Sequence, residues 1–184
     1  MDLAKEKNAS NWLEHGFVVY PNAVTHFYVL RYLQWLIRGG TNAEYSTHHQ
    51  SLWDIRMYES VYDAFSEVLG NQALMVSLNP KETPNIQGMV CLQTETMIHK
   101  SNQKINMCDL IIFDVERCHL DLDSDLDSFW FPLTMIPANI FDEVTLQERL
   151  QYWHAKPFRT HLSPLGSKLL GIESWETGLP GVQV

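Results

Sequence analysis

Cysteine is scarce. Cys91, Cys108 and Cys118 are odd in number, show no C-x-x-C spacing and sit inside or beside apolar runs. A thiol in such surroundings packs like a small hydrophobe, so a disulfide framework or a structural zinc is not expected. Positive charge is scarce as well: 13 Lys and Arg stand against 22 Asp and Glu, a formal net charge of -9, and the basic residues are scattered singly. Without a basic stripe, sequence-independent binding to phosphate backbones is opposed electrostatically, which sets nucleic acid aside. No apolar run reaches the roughly 20 residues of a membrane span, and the opening Met1-Asp2-Leu3-Ala4-Lys5-Glu6-Lys7 lacks the apolar core of a signal peptide. The expected location is cytoplasmic.

Repeats, low-complexity tracts and Ser/Gly-rich linkers are absent too. Pro80, Pro84, Pro132, Pro137, Pro157 and Pro164 therefore mark boundaries between elements rather than domains. What is present is a chain of 184 residues with 45% hydrophobic residues, enough for one sizeable core and a single domain over residues 1–184.

Periodicity then divides the chain. A helix ending near His15 runs through Gly16 into a strand at Phe17-Val18-Val19-Tyr20, stopped by Pro21. A helix over Thr25 to Arg38 carries Val29, Leu33, Leu36 and Ile37 on one face and ends at Gly39-Gly40. Another, over Tyr58 to Leu69, aligns Val61, Phe65, Val68 and Leu69 and stops at Gly70. Strands are expected at Ala73–Leu78, Ile86–Leu92, Asp109–Phe113 and Phe129–Ile136, short runs rich in β-branched and aromatic residues. Thr145-Leu146-Gln147-Glu148 fits a capping box for a helix that lines up Leu146, Leu150 and Trp153 and is closed by Pro157, before an irregular tail.

Several segments, taken in order, carry a resemblance. They are Glu14 to Asn22, His49 to Arg56, Leu69-Gly70-Asn71-Gln72-Ala73-Leu74, Ile86 to Leu92, Cys108 to Asp114 and Leu133-Thr134-Met135-Ile136-Pro137. Together they resemble the phytanoyl-CoA dioxygenase-like family of iron(II) and 2-oxoglutarate-dependent oxygenases over nearly the whole chain. The resemblance implies an α+β fold with a double-stranded β-helix core, jelly-roll and cupin-like, flanked by helices.

Oxygen activation of this kind needs two His and one carboxylate on one face of an iron, with positions left open for 2-oxoglutarate and O2. By the resemblance, His119 occupies the late-histidine position. The early His-x-Asp should fall between Ser77-Leu78-Asn79 and Ile86-Gln87-Gly88, where only Pro80, Lys81, Glu82, Thr83, Pro84 and Asn85 stand. The family's arginine for the far carboxylate of 2-oxoglutarate is also missing, since no Lys or Arg lies between His119 and Arg149. Asp121, Asp123, Asp125 and Asp127 stand there instead and would repel a dicarboxylate. The stretch between Leu92 and Ile105 is short against the family, which should leave the barrel mouth open or filled by something else.

The resemblance thus implies no catalytic, metal or cofactor-binding residues, with iron(II) and 2-oxoglutarate held by a partner. The chain is expected to act as a non-catalytic or accessory subunit, a pseudoenzyme that forms a heterodimer with a full-length oxygenase of the same family in fungal terpenoid or meroterpenoid biosynthesis. The alternative is an active oxygenase that hydroxylates or desaturates a hydrophobic small molecule, using His119 and Asp121 from the only His-x-Asp in the chain with His161, and Lys168 as carboxylate partner. A third reading is a binding module for a small apolar ligand.

Other features have plainer readings. Asp121 to Asp127 imitates an EF-hand start, but Leu126 stands where Gly is needed and Pro132 where Glu is, so a solvated acidic loop is expected. His48-His49 reads as a surface pair whose rings face opposite ways. Cys118, beside Arg117 and His119, reads as a buried structural thiol, and most of the six tryptophans as core.

Overall fold

The structure, a computed structural model, describes residues 3–40, 48–78, 84–93, 95–98, 103–118, 130–155 and 160–175. It is an α+β arrangement of antiparallel sheets and six α-helices among these residues. In chain order the elements are α1 (Leu3–His15), β1 (Phe17–Tyr20), α2 (His26–Ile37), α3 (Gln50–Arg56), α4 (Glu59–Leu69), β2 (Leu74–Val76), β3 (Ile86–Cys91), β4 (Glu95–Ile98), β5 (Gln103–Asn106), β6 (Leu110–Asp114), β7 (Trp130–Leu133), β8 (Met135–Pro137), α5 (Glu143–His154) and α6 (Pro164–Leu170).

A four-stranded sheet in the order β1-β6-β3-β7 forms the centre, every neighbour antiparallel. Its side chains alternate between two apolar clusters, as the two-residue period of a strand requires. Val18, Val90, Leu110, Ile112, Phe131 and Leu133 point to one face, and Phe17, Val19, Cys91, Ile111 and Trp130 to the other. The first face is covered by α2, α3, α4, α6 and the β2–β8 pair through residues such as Val29, Trp53, Phe65, Val76, Met135 and Leu169. The second face is covered by the β4–β5 hairpin, whose Ile98 and Ile105 are buried against it.

Two of the glycines shape the central sheet. Gly16 turns the chain from α1 into β1 at φ +73°, a left-handed conformation that L side chains rarely adopt. Gly88 in β3 lies so close to α4 that a Cβ there would stand 2.6 Å from the Phe65 ring.

The helices expected near Thr25–Arg38 and Tyr58–Leu69 form as α2 and α4, with Gly70 as a left-handed cap at φ 61°. Ile37, however, is 84% exposed, because the buried face of α2 is pulled round towards Tyr32 and Trp35. The run expected over Phe129–Ile136 is two strands that part at Thr134 and enter different sheets. Asp142, not Thr145, caps α5: its carboxylate accepts from the Thr145 N–H at 2.8 Å, which places Thr145 in the first turn. Nor is the tail wholly irregular, since Ser163 caps α6, Pro164 opens it and Gly171 closes it at φ 95°. Among the described residues, no helix is long and apolar enough to cross a membrane.

Candidate functional site

β6 is the inner strand that leads towards His119. It ends at Asp114, whose Oδ1 accepts from the Glu116 N–H at 2.9 Å in a turn that delivers Cys118, buried among the cluster on the hairpin side. Arg117 in this turn donates through Nη2 to the carbonyls of Trp12 and Leu13, at 3.0 and 2.8 Å, and so holds the end of α1. His119 and Asp121 lie outside the described residues, as do Asn79 to Thr83 and the acidic run through Asp127.

His161 is exposed and lies beside α3, the helix packed on the opposite face of the sheet from Cys118. Its backbone is clamped by one side chain: the His161 N–H donates to Gln50 Oε1 at 2.7 Å, and Gln50 Nε2 donates to the His161 carbonyl at 3.0 Å. The same Nε2 donates to Asp54 Oδ1 at 2.7 Å, and Asp54 Oδ2 accepts from Arg31 Nη1 at 2.9 Å. Lys168 has its ammonium 5.3 Å from the centre of the Trp175 ring. Among the described residues, no group of three or more His, Cys, Asp or Glu is placed to hold a metal ion.

His48 and His49 depart from the surface pair expected. Neither residue is in a strand, and each ring stacks on a different tryptophan. His48 is fully buried, 4.3 Å from Trp153 of α5, while His49 stacks at 4.5 Å on Trp35 of α2. His49 also caps α3, its Nδ1 accepting from the Ser51 N–H at 3.3 Å and lying 2.7 Å from Ser51 Oγ. Burial, and then the nearby Arg31, hold the His49 pKa below its ordinary value, with Asp54 partly offsetting them.

Two buried arginines went unassigned in the sequence. Arg149, the first basic residue after His119, donates from Nε to the Leu170 carbonyl at 2.8 Å and from Nη2 to the carbonyls of Val76 at 2.5 Å and Leu169 at 3.3 Å. It thereby caps the C-terminus of α6 and ties it to the end of β2. Arg56 closes α3 within the aromatic interior, its guanidinium 5.5 Å from the Trp53 ring and 6.0 Å from Phe131. Burial pushes its pKa down to about 10, with the Tyr32 hydroxyl opposing and Arg149 adding to the effect. Arg149 stands among polar neighbours on its helix, as a surface arginine would, whereas the apolar Ile55 and Met57 on either side of Arg56 are a sequence signal for burial.

The three cysteines are buried and outside any disulfide. Burial raises the thiols of Cys91 and Cys108 to about 11, which leaves them protonated and poor nucleophiles at neutral pH. Trp53, Trp130 and Trp153 are buried, and Trp12, Trp35 and Trp175 pack partly buried against the larger cluster. No protein-family model and no curated protein matches the chain.

Proposed function

We propose that the chain is a non-catalytic subunit that pairs with and supports an active iron(II)/2-oxoglutarate oxygenase of its own fold in fungal terpenoid or meroterpenoid metabolism. Its central and minor antiparallel sheets would belong to a trimmed double-stranded β-helix. The observation that carries the reading is the position of Arg149. An oxygenase of this class needs a cation to receive the far carboxylate of 2-oxoglutarate, and after His119 the first one available is spent on the carbonyls of Val76, Leu169 and Leu170.

The test is to add iron(II) and then 2-oxoglutarate anaerobically to the purified chain, alone and after co-expression with a full-length oxygenase of the phytanoyl-CoA dioxygenase-like family. The chain alone should give no visible charge-transfer band, whereas the co-purified pair should give one and turn over faster than the oxygenase by itself. A band from the chain alone would make His119, Asp121 and His161 the ligands and overturn the proposal. Failure of the two chains to co-purify would remove the pairing.

A further inference from the structure

Among the described residues, every large hydrophobic side chain left exposed, apart from Leu13, lies on one of two short stripes. On α2 the stripe is Phe27, Leu30 and Ile37, at 65, 49 and 84% exposure. On and just before α5 it is Ile140, Val144 and Tyr152, at 64, 65 and 46%. Scattered exposed apolar residues need no explanation, but residues aligned on the outer face of a helix do.

The charges beside the stripes are opposite in sign. α2 contains Arg31, is followed by Arg38 and holds no acidic residue, which stands out in a chain of formal net charge -9. α5 presents Glu148 between Val144 and Tyr152, with Glu143 and the capping Asp142 at its start, while its own Arg149 is turned inward. Arg31 is partly neutralised by Asp54 at 2.9 Å, so Arg38 is the main cation beside the α2 stripe.

The lengths correspond as well. Phe27 to Ile37 spans about 15 Å of helix, and the part of the other stripe that lies on α5, Val144 to Tyr152, about 12 Å, at 1.5 Å per residue, with Ile140 preceding the helix. The C-terminal ends of the two helices also flank one dipeptide, Trp35 of α2 stacking on His49 and Trp153 of α5 on His48.

We infer that a second copy of this chain covers these stripes, with α2 of one copy laid on α5 of the other and Arg38 facing Glu148. A two-fold axis makes this contact twice, which closes the assembly as a dimer instead of leaving an open chain. An anionic lipid surface is disfavoured as the occupant, because the acidic α5 stripe would be repelled. The inference concerns two copies of one chain and does not rest on the oxygenase reading.

Sedimentation equilibrium on the intact chain tests it, with circular dichroism to verify folding of each variant. The chain should be dimeric at micromolar concentration, and Arg38→Glu and Glu148→Arg should each weaken self-association about tenfold or more through like-charge contacts. An equal mixture of the two variants should regain the dimer, because both contacts are then complementary. Ile37→Ser should weaken it without rescue by either charge variant. A chain that stays monomeric, or variants that remain dimeric separately, would overturn the inference. So would a mixture that fails to recover, or loss of anionic-vesicle binding in Ile37→Ser from an otherwise monomeric chain.

Discussion

Arg149 donates a 2.5 Å hydrogen bond to the carbonyl of Val76, a residue 73 positions earlier in the chain. Through this contact and those to Leu169 and Leu170, one guanidinium joins α5, the end of β2 and the C-terminus of α6. Arg149→Met keeps the aliphatic stem and deletes the donors, leaving buried carbonyls without this partner. The expected loss is about 2–4 kcal/mol, with Arg149→Lys intermediate because a single ammonium cannot reproduce the fork. Urea denaturation measures both, and a loss below about 1 kcal/mol for Arg149→Met would show that the contact does not brace these elements.

His49 gives the fold an acid sensitivity of known sign. Its pKa is held below the ordinary 6.5 in the folded chain, so between those values the unfolded chain binds more protons. The stability it contributes is complete above about pH 6.5 and is lost as the pH falls through the lowered folded value. Protonation also removes the Nδ1 acceptor that caps α3. His49→Asn keeps a capping acceptor and does not titrate, so its urea midpoint should change less than that of the parent between pH 7.5 and 5. Parallel curves for the two proteins would exclude His49 as the sensor.

Gly88→Ala should destabilise the protein by about 1–3 kcal/mol, since its new methyl group meets the Phe65 ring and the Leu133 carbonyl within a filled core. Phe65→Leu should relieve part of the clash, making the double variant more stable than the sum of the single losses predicts. Strict additivity in thermal or urea unfolding would place the damage elsewhere.

Asp109 joins two turns that contain positive-φ residues, Asn22 at 51° and Cys108 at 77°. Its two oxygens accept from the backbone N–H groups of Asn22 and Asn106, each at 2.9 Å. Asp109→Ala should therefore cost about 1.5–3 kcal/mol. Asp109→Asn, which retains one amide oxygen, should cost less. Amide hydrogen exchange at Asn22 and Asn106 is the local readout, and unchanged protection in Asp109→Ala would contradict the assignment.

The elements legible in the sequence were those with a single apolar helix face or a compact run of β-branched and aromatic residues. α4 shows one apolar face, and β1 and β6 are rich in β-branched and aromatic residues, so both types were recognisable. α3 was not, because Ser51 to Arg56 are all buried and a helix enclosed on every side has no amphipathic stripe. The hairpin gives no such signal either, since β4 and β5 offer few apolar residues each and carry their burial on Ile98 and Ile105. α6 had its signals, Ser163, Pro164 and Gly171, but only seven residues between them. As for the candidate site, the sequence named His119, Asp121 and His161. It had no means of showing that His161 would be held by Gln50, a contact 111 residues apart in the chain.

That separation governs when the molecule can be completed. His48 stacks on Trp153, its carbonyl accepts from Thr160 Oγ1, and Gln50 grips His161, so the entry to α3 takes these partners from the last part of the chain. At about 5–20 residues per second of synthesis, Gln50 waits roughly 5–20 seconds before His161 exists to meet it. During that interval Trp35 can already shelter His49, but the buried seat of His48 and the clamp of Gln50 have yet to form. Folding of this region is therefore finished from the C-terminal side, and the nascent chain carries an incomplete α3 junction until the residues just before α6 have been made.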